Sequence, residues 1–71
     1  MFNKFAFRAA VINAGMTLGG LADILGLNPA TLTIKMTGQS DFTLSEIHNI
    51  RNVLGLTPME SDKIFFADKL T

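Results

Sequence analysis

The chain has no cysteine, no tryptophan and no tyrosine. Without cysteine there is no disulfide to staple the fold, and the single histidine cannot assemble a zinc site by itself. Long apolar runs are also missing. Phe5 to Ile12 is interrupted by Arg8, and it falls far short of the about 20 residues that span a bilayer. It has no separate positive region before it and no small-residue cleavage pattern after it, so no signal peptide and no membrane contact are expected. Neither sign of charge is in excess, with six Lys and Arg against six Asp and Glu. A neutral chain lacks the broad attraction to phosphates that drives non-specific nucleic-acid binding, although the placement of charge matters more than its total. Asp23, Asp41, Glu46, Glu60, Asp62 and Asp68 form no acid/base pair, no Ser–His–Asp arrangement exists, and Gly19-Gly20 is too little for a nucleotide loop. No enzyme, cofactor or metal is expected.

What is present is apolar material: 48% hydrophobic residues, six of them Phe, in 71 residues. That length bounds the chain to one domain, residues 1–71, stabilised by packing alone. So small a domain cannot bury all of this surface internally, which implies a surface for a second chain. The lack of cysteine fits a reducing compartment, and a cytoplasmic location is expected.

Glycines stand where helices should stop, and Thr, Asn and Pro where they should start. A first helix is expected from about Asn3 to Ala14, ending at Gly15. Thr17 suits an N-cap for a second, Leu18 to Leu25, ending at Gly26. Asn28 caps a third, with Pro29 at its first position, running to about Thr37 before Gly38. Gln39 to Phe42 reads as a turn. Thr43 with Glu46 makes a capping box for a fourth helix, Leu44 to Leu54, with Ile47, Ile50 and Leu54 inward and Gly55 at its end. Thr57-Pro58 with Glu60 repeats the signal for a fifth, Pro58 to about Phe66. The tail from Ile64 to Leu70 reads as helix, the alternative being a short strand paired across a dimer. The expected fold is all-α, a compact bundle of five short helices.

The first helix carries two apolar faces, Phe7-Val11-Ala14 and Phe5-Ala9-Ile12. The second is read as extra core under the fifth helix, the alternative being a partner surface. Phe65, Phe66 and Leu70 raise the same question and are read as a dimer or partner interface. His48 lies off the Ile47-Ile50-Leu54 stripe and is expected on the surface.

The informative segment is Thr17 to Gly38, T-L-G-G-L-A-D-I-L-G-L-N-P-A-T-L-T-I-K-M-T-G. It resembles the helix-turn-helix of the lambda-repressor-like family at the cap Thr17, the core pair Leu21-Ala22, the turn Gly26-Leu27, the second cap Asn28, the core Leu32 and the closing Gly38. The spacing has a physical basis: Ala22 is small where two helices cross, Gly26 adopts a left-handed conformation, and Leu27 and Leu32 fix the angle of the second helix. More widely, A-T-L-T-I-K-M-T-G-Q-S-D-F-T-L-S-E-I, the later L-G-L and the Phe-Phe tail resemble small phage proteins described as Cro-like repressors. This likeness covers nearly the whole chain.

The resemblance implies that the third helix reads DNA, with Ala30, Thr33 and Ile34 at base edges and Pro29 beside them. A Thr hydroxyl can donate or accept there, and Ala and Ile can meet a thymine methyl. It places Thr17, with the N–H groups around Gly19 and Gly20, at a phosphate. Asn28, Lys35, Thr37, Gln39 and Ser40 would supply the remaining backbone contacts. The chain departs from many relatives, which carry Gln where Leu18 stands and long polar side chains at Pro29, Ala30 and Ile34. Some bury an Arg–Glu pair where Val11 and Met36 stand here. The function implied is a Cro-like repressor bound as a homodimer to a palindromic double-stranded operator. The alternative is an antirepressor or modulator that uses the same fold to bind the phage's main repressor protein.

Overall fold

Each helix of this protein starts on a side chain that replaces a missing backbone partner. A computed structural model describes residues 2–67, and within them Asn3, Thr17, Asn28, Thr43 and Thr57 all accept from the first turn that follows. The helices are α1 (Lys4–Asn13), α2 (Leu18–Leu25), α3 (Pro29–Met36), α4 (Leu44–Leu54) and α5 (Pro58–Phe65). The expected all-α bundle of five short helices is the observed architecture, and no strand occurs among the described residues. Asn3 and Ala14, expected inside the first helix, serve as its two caps.

Short joints force sharp turns. The axes of α1 and α2 meet at 91°. Between α2 and α3, Gly26 takes φ +70, a left-handed conformation that a Cβ would penalise. The chain then closes with the Leu27 N–H donating to the Ala22 carbonyl at 2.9 Å, the return bond of a Schellman ending. Leu27 is thereby half-buried in the joint.

Phe7, Val11, Leu21, Ala22, Leu32, Met36, Ile50, Ile64 and Phe65 form one core. Every helix contributes to it, and α2 packs against α1, α3 and α4. At one end the rings of Phe2, Phe7, Phe42 and Phe65 touch one another, with centroids 5.1 to 6.4 Å apart and tilted or edge-on, the geometry that ring quadrupoles favour. The Asn3 N–H donates to the Ile64 carbonyl at 2.7 Å and ties the N-terminal residues to α5. Phe42, expected in a plain turn, anchors that turn in the aromatic cluster.

Two expectations are corrected. Phe65, read as an interface residue, lies in this monomer's core, because α5 turns it toward Phe2, Phe7 and Phe42. The outer face of α1 is not extra core: Phe5 is 75% and Ile12 72% exposed, since α5 packs against α1 without covering that side. Of the face Phe7-Val11-Ala14, Phe7 and Val11 are buried as expected, whereas Ala14, the cap at the end of α1, is exposed. His48 is exposed, and no single helix among the described residues is long and apolar enough to cross a membrane.

Candidate nucleic-acid interface

At about 100° per residue, Ala30, Thr33, Ile34 and Thr37 share one face of α3. Leu32 and Met36 lie on the opposite side and are buried, so packing alone turns the first face to solvent. All four of its residues are exposed, as are Pro29 and Thr31. The face is uncharged. The Thr33 hydroxyl donates to the Pro29 carbonyl at 3.1 Å and the Thr37 hydroxyl to the Ile34 carbonyl at 2.7 Å. Both oxygens keep acceptor capacity outward, while Ala30 and Ile34 offer methyl surface.

The start of α3 is fixed by Asn28, whose Oδ1 accepts from the Ala30 N–H at 2.9 Å. At the start of α2, Thr17 Oγ1 accepts from the Gly20 N–H at 3.0 Å. A Cβ on Gly20 would come within 3.2 Å of that hydroxyl, tight enough to press on the cap. Gly19 has open space around the same position, so no internal packing demands a glycine there. The helix leaves the N–H groups of Leu18 and Gly19 without intrahelical acceptors. Gln39 and Ser40 follow α3 in an exposed turn.

Lys35 departs from expectation. It lies about 140° around α3 from Ala30, off the outward face and toward the α3–α4 turn. Its Nζ lies 3.0 Å from Glu46 Oε1, donates to the Asp41 carbonyl at 3.0 Å, and sits 5.9 Å from the centre of the Phe42 ring. Only 11% of the side chain is exposed. The expectation that Lys35 is a free phosphate ligand is therefore corrected: its charge is engaged inside the molecule. The same helical geometry, applied to the sequence, would have placed it off the face.

Glu46 is the centre of this arrangement. It accepts from the Thr43 N–H at 2.9 Å, and its own N–H donates to Thr43 Oγ1 at 3.1 Å. Partial burial pushes its carboxyl up, but the Thr43 N–H, the Lys35 ammonium and the Thr43 hydroxyl together outweigh that and hold it below the usual carboxylate range.

A surface groove adjoins the end of α3. Phe2, Lys4, Phe5, Met36, Thr37, Gly38 and Ala67 line one part of it. Phe2, Thr37 and Gly38 continue into a second part walled by Phe42, Leu44, Ile47, Phe65 and Phe66. Lys4 thus stands beside Thr37 and Gly38, a neighbour that sequence reasoning missed because 33 positions separate it from Thr37. Phe66 remains partly exposed on the groove and Leu44 strongly so. Leu70 lies outside the described residues. No family model matches the chain, and no curated protein matches it.

Proposed function

We propose that this chain is a small DNA-binding regulator of the phage Cro-like type, acting in a bacterial cytoplasm without catalysis. In this reading α2 and α3 work as a helix-turn-helix. The observation that carries the reading is the outward face of α3: Ala30, Thr33, Ile34 and Thr37 are held to solvent by the opposite anchors Leu32 and Met36. Methyl groups and hydroxyl acceptors on that face suit thymine methyls and base-edge donors in a major groove. Thr17 and the free N–H groups of Leu18 and Gly19 suit a flanking phosphate. Asn28, at the start of α3, and Gln39 and Ser40, in the turn after it, are exposed and would supply further backbone contacts.

With Lys35 engaged by Glu46, few phosphates are neutralised per chain, so a monomer binds weakly. A two-fold dimer doubles the contacts and sets half-sites about one helical turn apart. Phe66 and Leu44, exposed on one groove, are the residues proposed to meet across that dimer. The test is binding to duplex DNA from the chain's own intergenic region. Specific binding with a shallow salt dependence is expected. Thr33→Glu should abolish it while leaving the helical content intact; unchanged binding would remove α3 from the role.

One observation favours a second reading, a modulator docked on the phage's main repressor. The uncharged α3 face, with Lys35 turned away, is as suited to a protein surface as to DNA. No shift of DNA by the chain alone, with altered binding once the repressor is added, is the result that reading requires.

A further inference from the structure

The outer face of α1 has the form of a helix-docking site. Phe5, Arg8, Ala9 and Ile12 follow the i, i+3, i+4, i+7 spacing that makes the four corners of a hole for one side chain of a facing helix. All four are exposed. Phe5 and Ile12 lie on the side of α1 opposite buried Phe7 and Val11, and small, exposed Ala9 stands between them. Neither glycine nor proline interrupts the helix, so the corners are rigidly placed.

Charge decides the occupant. Lys4 and Arg8 are the only charged residues of α1, and both lie along one edge of the apolar stripe. The Lys4 ammonium sits 5.4 Å from the centre of the Phe5 ring. A second copy is disfavoured here. Arg8 is near the middle of Lys4–Asn13, so pairing α1 with itself across a two-fold axis would set Arg8 against Arg8, with no carboxylate on the helix to relieve it. A lipid surface is disfavoured as well, since two cations and two large apolar side chains give only a marginal anchor.

We propose that the α1 face binds an acidic amphipathic helix of another protein, one apolar side chain of which enters the Phe5–Arg8–Ala9–Ile12 hole while flanking carboxylates meet Arg8 and Lys4. Lys4 and Phe5 also border the groove that reaches Thr37, but the hole lies on α1 and its occupancy does not depend on what α3 binds. A single helix-on-helix contact about 15 Å long makes a weak, rapidly exchanging complex.

The test uses the full chain and two designed helical peptides, alike in Leu at the a and d positions and differing in Glu or Lys at e and g. The Glu peptide should bind, with amide shifts centred on residues 4–13. Raising salt from about 50 mM to about 500 mM should weaken it several-fold. Phe5→Asp together with Ile12→Asp should weaken it by at least tenfold, and Arg8→Glu should do likewise with the apolar stripe intact. These residues are exposed, so the variants are expected to keep the wild-type circular dichroism spectrum. Equal binding of the two peptides, shifts centred elsewhere, or a folded double variant that binds as before would overturn the proposal. So would a Phe5-dependent homodimer in sedimentation, or binding to phosphatidylcholine–phosphatidylglycerol vesicles with neither peptide bound. Loss of DNA binding by Thr33→Glu bears on α3 alone and leaves this outcome untouched.

Discussion

Helices α4 and α5 open with the same local device and use it differently. Thr43 with Glu46 and Thr57 with Glu60 are both complete capping boxes, and their corresponding hydrogen bonds agree within 0.1 Å, 2.9 and 3.1 Å in one, 3.0 and 3.1 Å in the other. Only Glu46 has a further role. It meets Lys35 from the preceding helix at 3.0 Å with 16% of its side chain exposed, whereas Glu60 stands in water at the start of α5. Capping is thus set by residues three apart. Whether a cap also ties two helices together is set by what the fold brings near it. Here the tie joins α3 to α4 and engages the ammonium of the one lysine on α3 inside the molecule.

The largest difference is expected between the two lysines that accompany the caps. Lys35→Ala leaves Glu46 and the Asp41 carbonyl without their partner and strips the lysine stem from Phe42. For a pair at this depth the loss should be about 2 kcal/mol, or roughly 10 °C in Tm for a domain this small. Lys63→Ala, beside exposed Glu60, should leave Tm nearly unchanged. Lys35→Met keeps the stem and should recover about half of the loss. Equal losses at Lys35 and Lys63, read by thermal unfolding, would mean that the Lys35–Glu46 contact adds nothing beyond a surface pair. If Lys35→Met also leaves operator affinity unchanged, its absence from the phosphate contacts is established independently.

The same contrast shows which parts of the molecule were legible in the sequence. Helix limits were, because Thr17, Asn28, Thr43 and Thr57 act on the first turn after them and Gly26 on the last turn before it. The outward face of α3 was also legible, since Leu32 and Met36 are its apolar residues on the inward side. The Lys35–Glu46 pair was not, because eleven positions and a turn separate the partners. Apolar pattern also fails wherever two faces of one helix are both apolar. Phe5 and Phe7 look alike in sequence, and only the course of α5 decides that Phe7 is covered and Phe5 is not. Phe65 and Phe66 pose the same problem: Phe65 enters the core, whereas Phe66, the cap at the end of α5, stays partly exposed. The aromatic cluster was invisible for a related reason: Phe2, Phe7, Phe42 and Phe65 come from four separate stretches of chain.

A smaller effect isolates the local half of the comparison. Thr43→Ala and Thr57→Ala each remove one hydroxyl acceptor from an N–H of the first turn, and each should cost about 1 kcal/mol. Near-equality of the two, measured by urea unfolding, is what a purely local cap requires. A clearly larger loss at Thr43 would show that its cap also orients Glu46 toward Lys35, and that the two functions are coupled.

The smallest effect lies in acid. Glu46 is held below the usual carboxylate range as described above. Glu60 is held below it chiefly by the Thr57 N–H and hydroxyl, with Lys63 helping despite a slight opposing effect of burial. A carboxyl that is more acidic in the folded chain than in the unfolded one stabilises the fold fully above its unfolded pKa of about 4.3, and that contribution is lost as pH falls through the lower, folded value. Stability should therefore be flat near neutral pH and decline below about pH 5. Glu46→Gln should be less stable than wild type at pH 7, with the gap closing in acid as the wild-type carboxylate takes up its proton. Glu60→Gln should behave with the same sign and a smaller gap, since water screens its partners. Lys35→Met should shift the acid decline of the otherwise wild-type chain toward higher pH, because one cause of Glu46's acidity is gone; Lys63→Met should not. A Glu46→Gln gap that widens in acid would mean that burial prevails and Glu46 is protonated in the folded chain. The Lys35 contact would then be a neutral hydrogen bond, not an ion pair.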